Sequence, residues 1–226
     1  MASTKRGLAF KGQFWIYDLP AVAGKAIASL SNTKPVIANA LAHGLKTGDG
    51  IWIESETNSG INGYYLVDVS NEDTFAVIGL NGEDIGTVTD AKFAALECYM
   101  LCNVTDLKVD DLKTKENDDS TICDAGAHTS TSKDSGAISV SGIWNPDIKA
   151  QEILDELIQT TETLLFAYKP EKSTLKFGYQ VVITNSSKQA KATEDWKFSM
   201  DGKINGTIRQ VRVKADNQPT TKRGAK

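Results

Sequence analysis

The chain has 226 residues, 40% hydrophobic and 24% charged, a balance that fits one large or two small domains with an apolar interior. Its formal net charge of −4 argues against general nucleic-acid binding, because neutralising phosphates needs Lys and Arg in excess. No apolar run is long enough to span a bilayer, and the opening MASTKRGLAFKGQFW lacks the long apolar core of a signal peptide, so export is not expected.

Charge is unevenly placed. Residues 1–11 carry Lys5, Arg6 and Lys11 and no acid, and residues 214–226 carry Lys214, Lys222, Arg223 and Lys226 against Asp216. Each end is +3 against −4 overall, so the body between them is −10. Basic arms on an acidic body suit head-to-tail self-association, since opposite potentials steer encounter and fix register; solvated tails are the alternative reading.

The first predicted strand is centred on Phe14, Trp15, Ile16 and Tyr17, all residues that favour extended backbone. AVAGKAIASLSNTKP follows without a sharp period and reads as a connection. From about Gly24 to Ala94, short β-runs are closed by turn residues at Gly44, Gly48-Asp49-Gly50, Asn62-Gly63, Asn71-Glu72-Asp73 and Asn81-Gly82. Asn-Gly is a strong hairpin signal because both residues tolerate positive φ. A small all-β unit is predicted. Between Asp49 and Asp90 it has nine acids and no Lys or Arg.

ALECYMLCNVTDLKVDDL reads as one long strand, and KTKENDDSTICDAGAHTSTSKDSG as a long polar loop, a kind of segment that is usually functional or disordered. AISVSGIW resumes the alternation. Asn145-Pro146-Asp147 then offers an N-cap, a proline at the first helical position and an acid in the first turn. Ala150, Ile153, Leu154, Leu157 and Ile158 form one apolar stripe, which predicts a helix ending near Thr160 or Thr161. LLFAYKP, TLKFGYQVVITN, DWKFSM and GTIRQVRV read as strands. In the second of these Leu175, Phe177, Tyr179, Val181 and Ile183 share one face, opposite Lys176, Gln180 and Thr184. The tail ADNQPTTKRGAK has nothing apolar larger than alanine and is expected to be disordered unless a neighbour orders it.

Chemistry is sparse. Cys98 and Cys102, four apart in a strand, would face one side about 13 Å apart, too far for a disulfide. Buried reduced thiols are expected for the three cysteines, Cys123 included. His43 and His128 are the only histidines, and each sits in turn or loop sequence, which suits turn packing better than catalysis. No phosphate-binding, dinucleotide, HExxH or CxxC motif occurs. No catalytic residue, metal site or cofactor is implied, and an enzyme is not expected.

The stretch GAISVSGIWNPDIKAQEILDELIQ, followed by TETLLFAYKP and FGYQVVITN, resembles the core of the tail tube (major tail) proteins of long-tailed bacteriophages. There a strand enters a helix through an Asn/Pro/Asp-type turn, and an apolar strand and a curved hairpin follow. VTDLKVDDLKTKENDDSTICDAG is similar to the family's preceding strand and extended loop. The resemblance covers roughly Met1 to Asp18 and Leu96 to Val213. Separately, His43-Gly44-Leu45, Gly48-Asp49, Asn62-Gly63 and Asp73-Thr74-Phe75 resemble a small β-module of phage structural proteins.

Together these imply a mainly β protein. Residues 1–23 and 95–213 would form a tail-tube-type β-sandwich or barrel with one flanking helix, 24–94 an inserted acidic all-β module and 214–226 a basic arm. The resemblance further implies hexameric rings stacked into a conduit for DNA ejection. It implies contacts to a tape-measure protein and to tail tip and terminator proteins, with DNA only passing through and no membrane. The chain would be a virion tail component assembled in the host cytoplasm. Ring contacts are expected at Lys5, Arg6, Lys11, Lys113, Lys115, Glu116, Asp118, Asp119, Lys214, Lys222 and Arg223. Thr105, Asp106, Lys108, Asp110, Ser139 and Ser141 are the candidates to face the lumen. Another virion or secretion-tube β-protein, or a carbohydrate-binding module using Trp52, Tyr64 or Tyr65, are the alternatives.

Overall fold

The computed structural model describes residues 12–18, 24–83, 85–110, 113–118, 129–160, 162–191, 194–206 and 208–213, with 113–118 and 129–134 described by backbone alone. The first strand is β1 (Gly12–Asp18). Seven strands follow to residue 95: β2 (Lys25–Ala26), β3 (Ser29–Leu30), β4 (Val36–Asn39), β5 (Gly50–Glu54), β6 (Gly63–Val69), β7 (Thr74–Ile78) and β8 (Lys92–Ala95). Then come β9 (Glu97–Met100), β10 (Val104–Asp110), β11 (Lys113–Asp118), β12 (Thr129–Asp134) and β13 (Ala137–Ile143). Helix α1 (Lys149–Thr160) precedes β14 (Thr163–Pro170), β15 (Leu175–Gln189), β16 (Lys197–Ile204) and β17 (Arg209–Arg212). The protein is mainly β with one helix and curled antiparallel sheets, as the sequence reading anticipated.

One sheet runs β10-β13-β16-β15-β14-β1-β9, with β17 pairing the start of β15. Its alternation explains its shape. Ile138, Val140, Phe198, Met200, Val181 and Ile183 from one half, and Phe14, Ile16, Leu164 and Phe166 from the other, all enter a single core with Ala150, Ile153 and Leu154 of α1. Both halves therefore turn the same face of the sheet onto one core, as the two layers of a sandwich, and their reverse faces look in opposite directions. Strand β15 passes between the layers, and a register shift at Thr184 lets it bend there.

The other large sheet runs β2-β8-β5-β6-β7-β4-β3. Its two ends are neighbours in sequence. Lys25–Ala26 pairs β8, Ser29–Leu30 pairs β4, and between them Ile27 N–H donates to Ala91 O and Ala28 N–H to Asn39 O. The strand path thus joins up into a small closed barrel around Val36, Ile51, Ile53, Val67, Phe75, Val77 and Phe93.

Five sequence expectations need correction. The connection AVAGKAIASLSNTKP contains β2 and β3, two-residue strands too short to show a period. The single long strand after Leu96 is broken at Cys102-Asn103, where Asn103 takes φ 67°, and Cys102 is exposed, not buried. The helix begins at Lys149, so Pro146 is not its first residue. Asn145 Oδ1 instead accepts from Asp147 N–H in a turn, and buried Gln151 ties the helix to β13 by accepting from Asn145 N–H and donating to Ile143 O. The supposed polar loop at 113–135 contains an antiparallel ribbon, β11 with β12.

Candidate assembly surfaces

The proposed lumen residues fall on one face. In register across the sheet, Asp106 lies opposite Ser141, which lies opposite Ser199 and then Ser187; one row on, Lys108, Ser139, Asp201 and Asn185 align. Asp110, Ala137 and Lys203 make a third row. Thr105 shares the surface although it adjoins Asp106, because the ladder shifts between Val104 and Asp106 and leaves Thr105 as the extra residue of a bulge. Thr105 Oγ1 donates to Ser141 O and Thr184, at the other bulge, donates to Asp201 O. Asp201 is the hub, accepting from Ser139 Oγ at 2.6 Å and Asn185 Nδ2 at 3.4 Å. Ser199, Asp201, Lys203, Asn185 and Ser187 were not singled out from sequence, although the alternation of Phe198 and Met200 implies that Ser199 and Asp201 face the other way. The charges are mixed, three acids against two lysines, with Lys108 paired to Asp110 at 2.9 Å.

The ribbon continues the pairing register of the β10–β13 hairpin. Partner numbers fall by one per residue from Asp106↔Ser141 to Asp110↔Ala137, and the same count continues from Lys113↔Asp134 to Asp118↔Thr129. No residue is inserted between the two ladders. The ribbon keeps the register of the β10–β13 hairpin beyond the last pair of β13 with β16, Ala137↔Lys203. Lys113, Lys115, Glu116 and Asp118 sit at positions along it. Lys5, Arg6, Lys11, Asp119, Lys214, Lys222 and Arg223 lie outside the described residues.

The reverse face of the other layer is apolar and covered by the barrel. Trp15, Tyr17, Leu165, Ala167, Cys98, Val211 and Val213 pack with Leu66 of β6. Contact is backbone-close: a Cβ on Gly50 would lie 2.7 Å from the Tyr17 ring, and one on Gly178 2.7 Å from Leu66. At the centre of this junction is Lys176, which the sequence placed on the face opposite Phe177 and Tyr179 and which is 0% exposed. Its ammonium donates to Tyr17 Oη and, at 2.8 Å, to Gly48 O; Tyr17 Oη donates to the same carbonyl at 3.0 Å. The rings of Trp15 and Tyr17 lie 4.5 and 5.1 Å from the nitrogen, within cation–π range. Gly48 presents its carbonyl from φ 94°, a conformation that favours glycine.

Burial sets the chemistry here. It pulls Lys176 down to about 8, against the opposing fields of Cys98 and Asp49. It pushes the Cys98 thiol up to about 11 and Tyr17 well above its ordinary value. Asp49 is also raised by burial, although the Lys46 N–H and Lys176 favour its charge. A second buried cation, Arg209, lies on the Tyr65 ring at 4.6 Å beneath Gly79, and burial lowers it to about 10. Gln180 Nε2 adds a bond to Tyr64 O. No sequence period marks Lys176 or Arg209, because the module that covers them is distant in the chain.

His43 is a turn residue. It is 4% exposed, its Nδ1 accepts from Leu45 N–H at 2.9 Å, and Nε2 therefore carries the proton shared with Asn71 O. His128 lies outside the described residues. Tyr65 is buried with its hydroxyl on Ile61 O, while Trp52 and Tyr64 form a half-buried edge-on pair at the junction. Among the described residues there is no cluster of His, Cys, Asp or Glu able to hold a metal, and no helix long and apolar enough to cross a membrane.

No protein-family model and no curated protein matches the chain. Among solved structures it is similar to a chain described as the tail of an empty GTA particle, computed with helical refinement in C6 symmetry. The TM-score is 0.39 and the identity 11%, over 51% of this chain and 85% of that one.

Proposed function

We propose that the chain is a structural subunit of a bacteriophage tail tube, assembling with copies of itself into stacked hexameric rings that form a conduit for DNA. One observation carries this reading. The polar four-stranded face and the barrel-bearing face lie on opposite sides of one sandwich core. A tube wall needs that polarity, with an inner surface that leaves DNA unbound and an outer surface free to carry additions. The inner face would be built from Asp106, Lys108, Ser139, Ser141, Ser199 and Asp201. Its mixed charge and short hydroxyl side chains avoid the cationic array that holds phosphates. Among the described residues, strands β9 and β10 stand at the two ends of the sheet path, and joining such edge strands between copies would remove exposed backbone groups.

In this assignment the barrel is the inserted acidic module, carried on the outside, and the sandwich is the tube core. The tape-measure protein would occupy the bore before DNA, with tail tip and terminator proteins at its ends, in a virion assembled in the host cytoplasm. The basic segments 1–11 and 214–226 would contact neighbouring copies, an attraction weakened by salt over about 10 Å at 0.1 M.

Purified protein tested by gel filtration and negative-stain microscopy across salt concentrations is expected to form long hollow tubes. Isolated rings would point to another virion or secretion-tube protein. A chain that stays monomeric at high concentration in every buffer overturns the assignment.

A further inference from the structure

The chain has three Asn-Gly pairs, Asn62-Gly63, Asn81-Gly82 and Asn205-Gly206. In such a pair the glycine nitrogen can attack the asparagine side-chain carbonyl carbon and close a succinimide ring, because glycine has no Cβ to obstruct the approach and its backbone turns freely. The structure holds two of the pairs against this. Asn62 Oδ1 accepts from Ser55 N–H at 2.7 Å and its Nδ2 donates to Ser55 O at 3.2 Å, while Gly63 is buried and paired with Ile53 at the start of β6. Asn81 Oδ1 accepts from Glu83 N–H at 3.4 Å. Gly82 beside it is buried, its N–H donates to Thr33 O at 3.0 Å, and a Cβ there would lie 2.4 Å from Ser31 O. Asn205-Gly206, between β16 and β17, is not held in this way. Both residues are exposed, Gly206 takes φ 84°, and neither the Asn205 side-chain amide nor the Gly206 N–H has a hydrogen-bond partner among the described residues. Only the Asn205 backbone N–H is engaged, donating to Gln180 O at 2.7 Å.

We propose that Asn205 is a self-modification site, which deamidates in the folded protein while Asn62 and Asn81 are kept intact. The inference is independent of the tube reading. Gly206 N loses its proton to solvent base and bonds to Asn205 Cγ; the amide C–N bond breaks, and ammonia leaves with a proton taken from solvent. Water then opens the succinimide. Breaking the bond from Gly206 N to Cγ leaves aspartate. Breaking the bond from Gly206 N to the main-chain carbonyl carbon leaves isoaspartate, with the chain rerouted through Cβ and Cγ. One water is consumed and one ammonia released, with no change of oxidation state, so the chain and water are the only reactants. The new carboxylate takes the formal net charge from −4 to −5. Its location gives it a consequence. A Cβ on Gly206 would lie 3.6 Å from Gln180 Oε1, and Gln180 Nε2 donates to Tyr64 O of the barrel. Each conversion therefore places a negative charge, and in the isoaspartate a longer backbone link, beside a side chain that ties the sandwich to the barrel.

The test ages the full chain in mildly alkaline buffer, with and without urea. The three Asn-Gly peptides are followed by mass spectrometry, using a fragmentation that distinguishes isoaspartate from aspartate. In the folded chain Asn205 is expected to convert, mostly to isoaspartate, and Asn62 and Asn81 at least about tenfold more slowly, since each tether adds to the barrier. In urea the three rates are expected to converge. Equal rates in the folded chain, or an intact Asn205 there, overturn the proposal. So does a preference for Asn205 that persists undiminished in urea, which would place the selection in the local sequence and not in the fold. Separately, Asn205→Gln, checked for an unchanged melting curve, is expected to remove most of the slow acidic shift of the intact chain on ion-exchange chromatography; an unchanged shift overturns the assignment.

Discussion

Lys176 shows what a single side chain can decide in this protein. Its amine has no carboxylate partner among the described ion pairs and is held by a carbonyl, a phenol oxygen and two aromatic faces. Burial lowers it from an ordinary 10.5 to about 8. The folded state therefore sheds this proton before the unfolded chain does. Below pH 8 the full penalty of the buried charge is present, and between about 8 and 10.5 stability rises as the unfolded state binds the extra proton. The rise amounts to roughly 3 kcal/mol at most. Denaturant unfolding of the native chain is expected to show stability rising between about pH 8 and 9; above that the Cys98 thiol, held up to about 11 in the folded state, opposes the rise because it ionises first in the unfolded chain. Lys176→Met, which fills similar volume without charge, should flatten that slope. An equal slope in both would place the titrating group elsewhere.

At the scale of elements, alternation was legible wherever one face met the core. Tyr179, Val181 and Ile183, or Phe198 and Met200, point inward as their spacing requires, and the apolar stripe of α1 packs where it was expected. What alternation cannot reveal is the use made of the other face. Lys176 and Gln180 share a face that looks polar in sequence, and the structure covers it with the barrel. The ribbon was illegible for the opposite reason: its strands have no apolar position, so no period exists to read, and pairing with the partner strand defines them. The helix start was misplaced because Asn145-Pro146-Asp147 makes a turn of its own, and the anchoring falls to Gln151 four residues after Asp147. Gln151→Ala would leave Asn145 N–H and Ile143 O without partners next to the core. A loss of about 2–4 kcal/mol is expected, measured by urea unfolding; a change under 0.5 kcal/mol would show that the latch is dispensable.

For the molecule as a whole, the barrel and the sandwich share a core of their own, with Leu66 and the Gly48–Gly50 turn seated on Trp15, Tyr17 and Leu165. This junction is expected to make the two units unfold together, in one calorimetric transition. Gly50→Val drives a side chain into the Tyr17 ring and should split the transition into two, with the barrel retaining its own stability. A single transition in the variant would mean that the coupling lies elsewhere in the junction.

The closed strand path of the barrel has a further consequence for crowding. If many copies sit side by side on a wall, each displays its barrel at high local density, where an unpaired strand would zip onto its neighbour and gum the particles together. With Lys25–Leu30 tucked between β8 and β4, the strand path of the barrel closes among the described residues and leaves no open strand edge there for such zipping, and its acidic surface adds mutual repulsion. In the proposed tube, polymerisation would thereby be confined to the sandwich, and the ornament would stay inert.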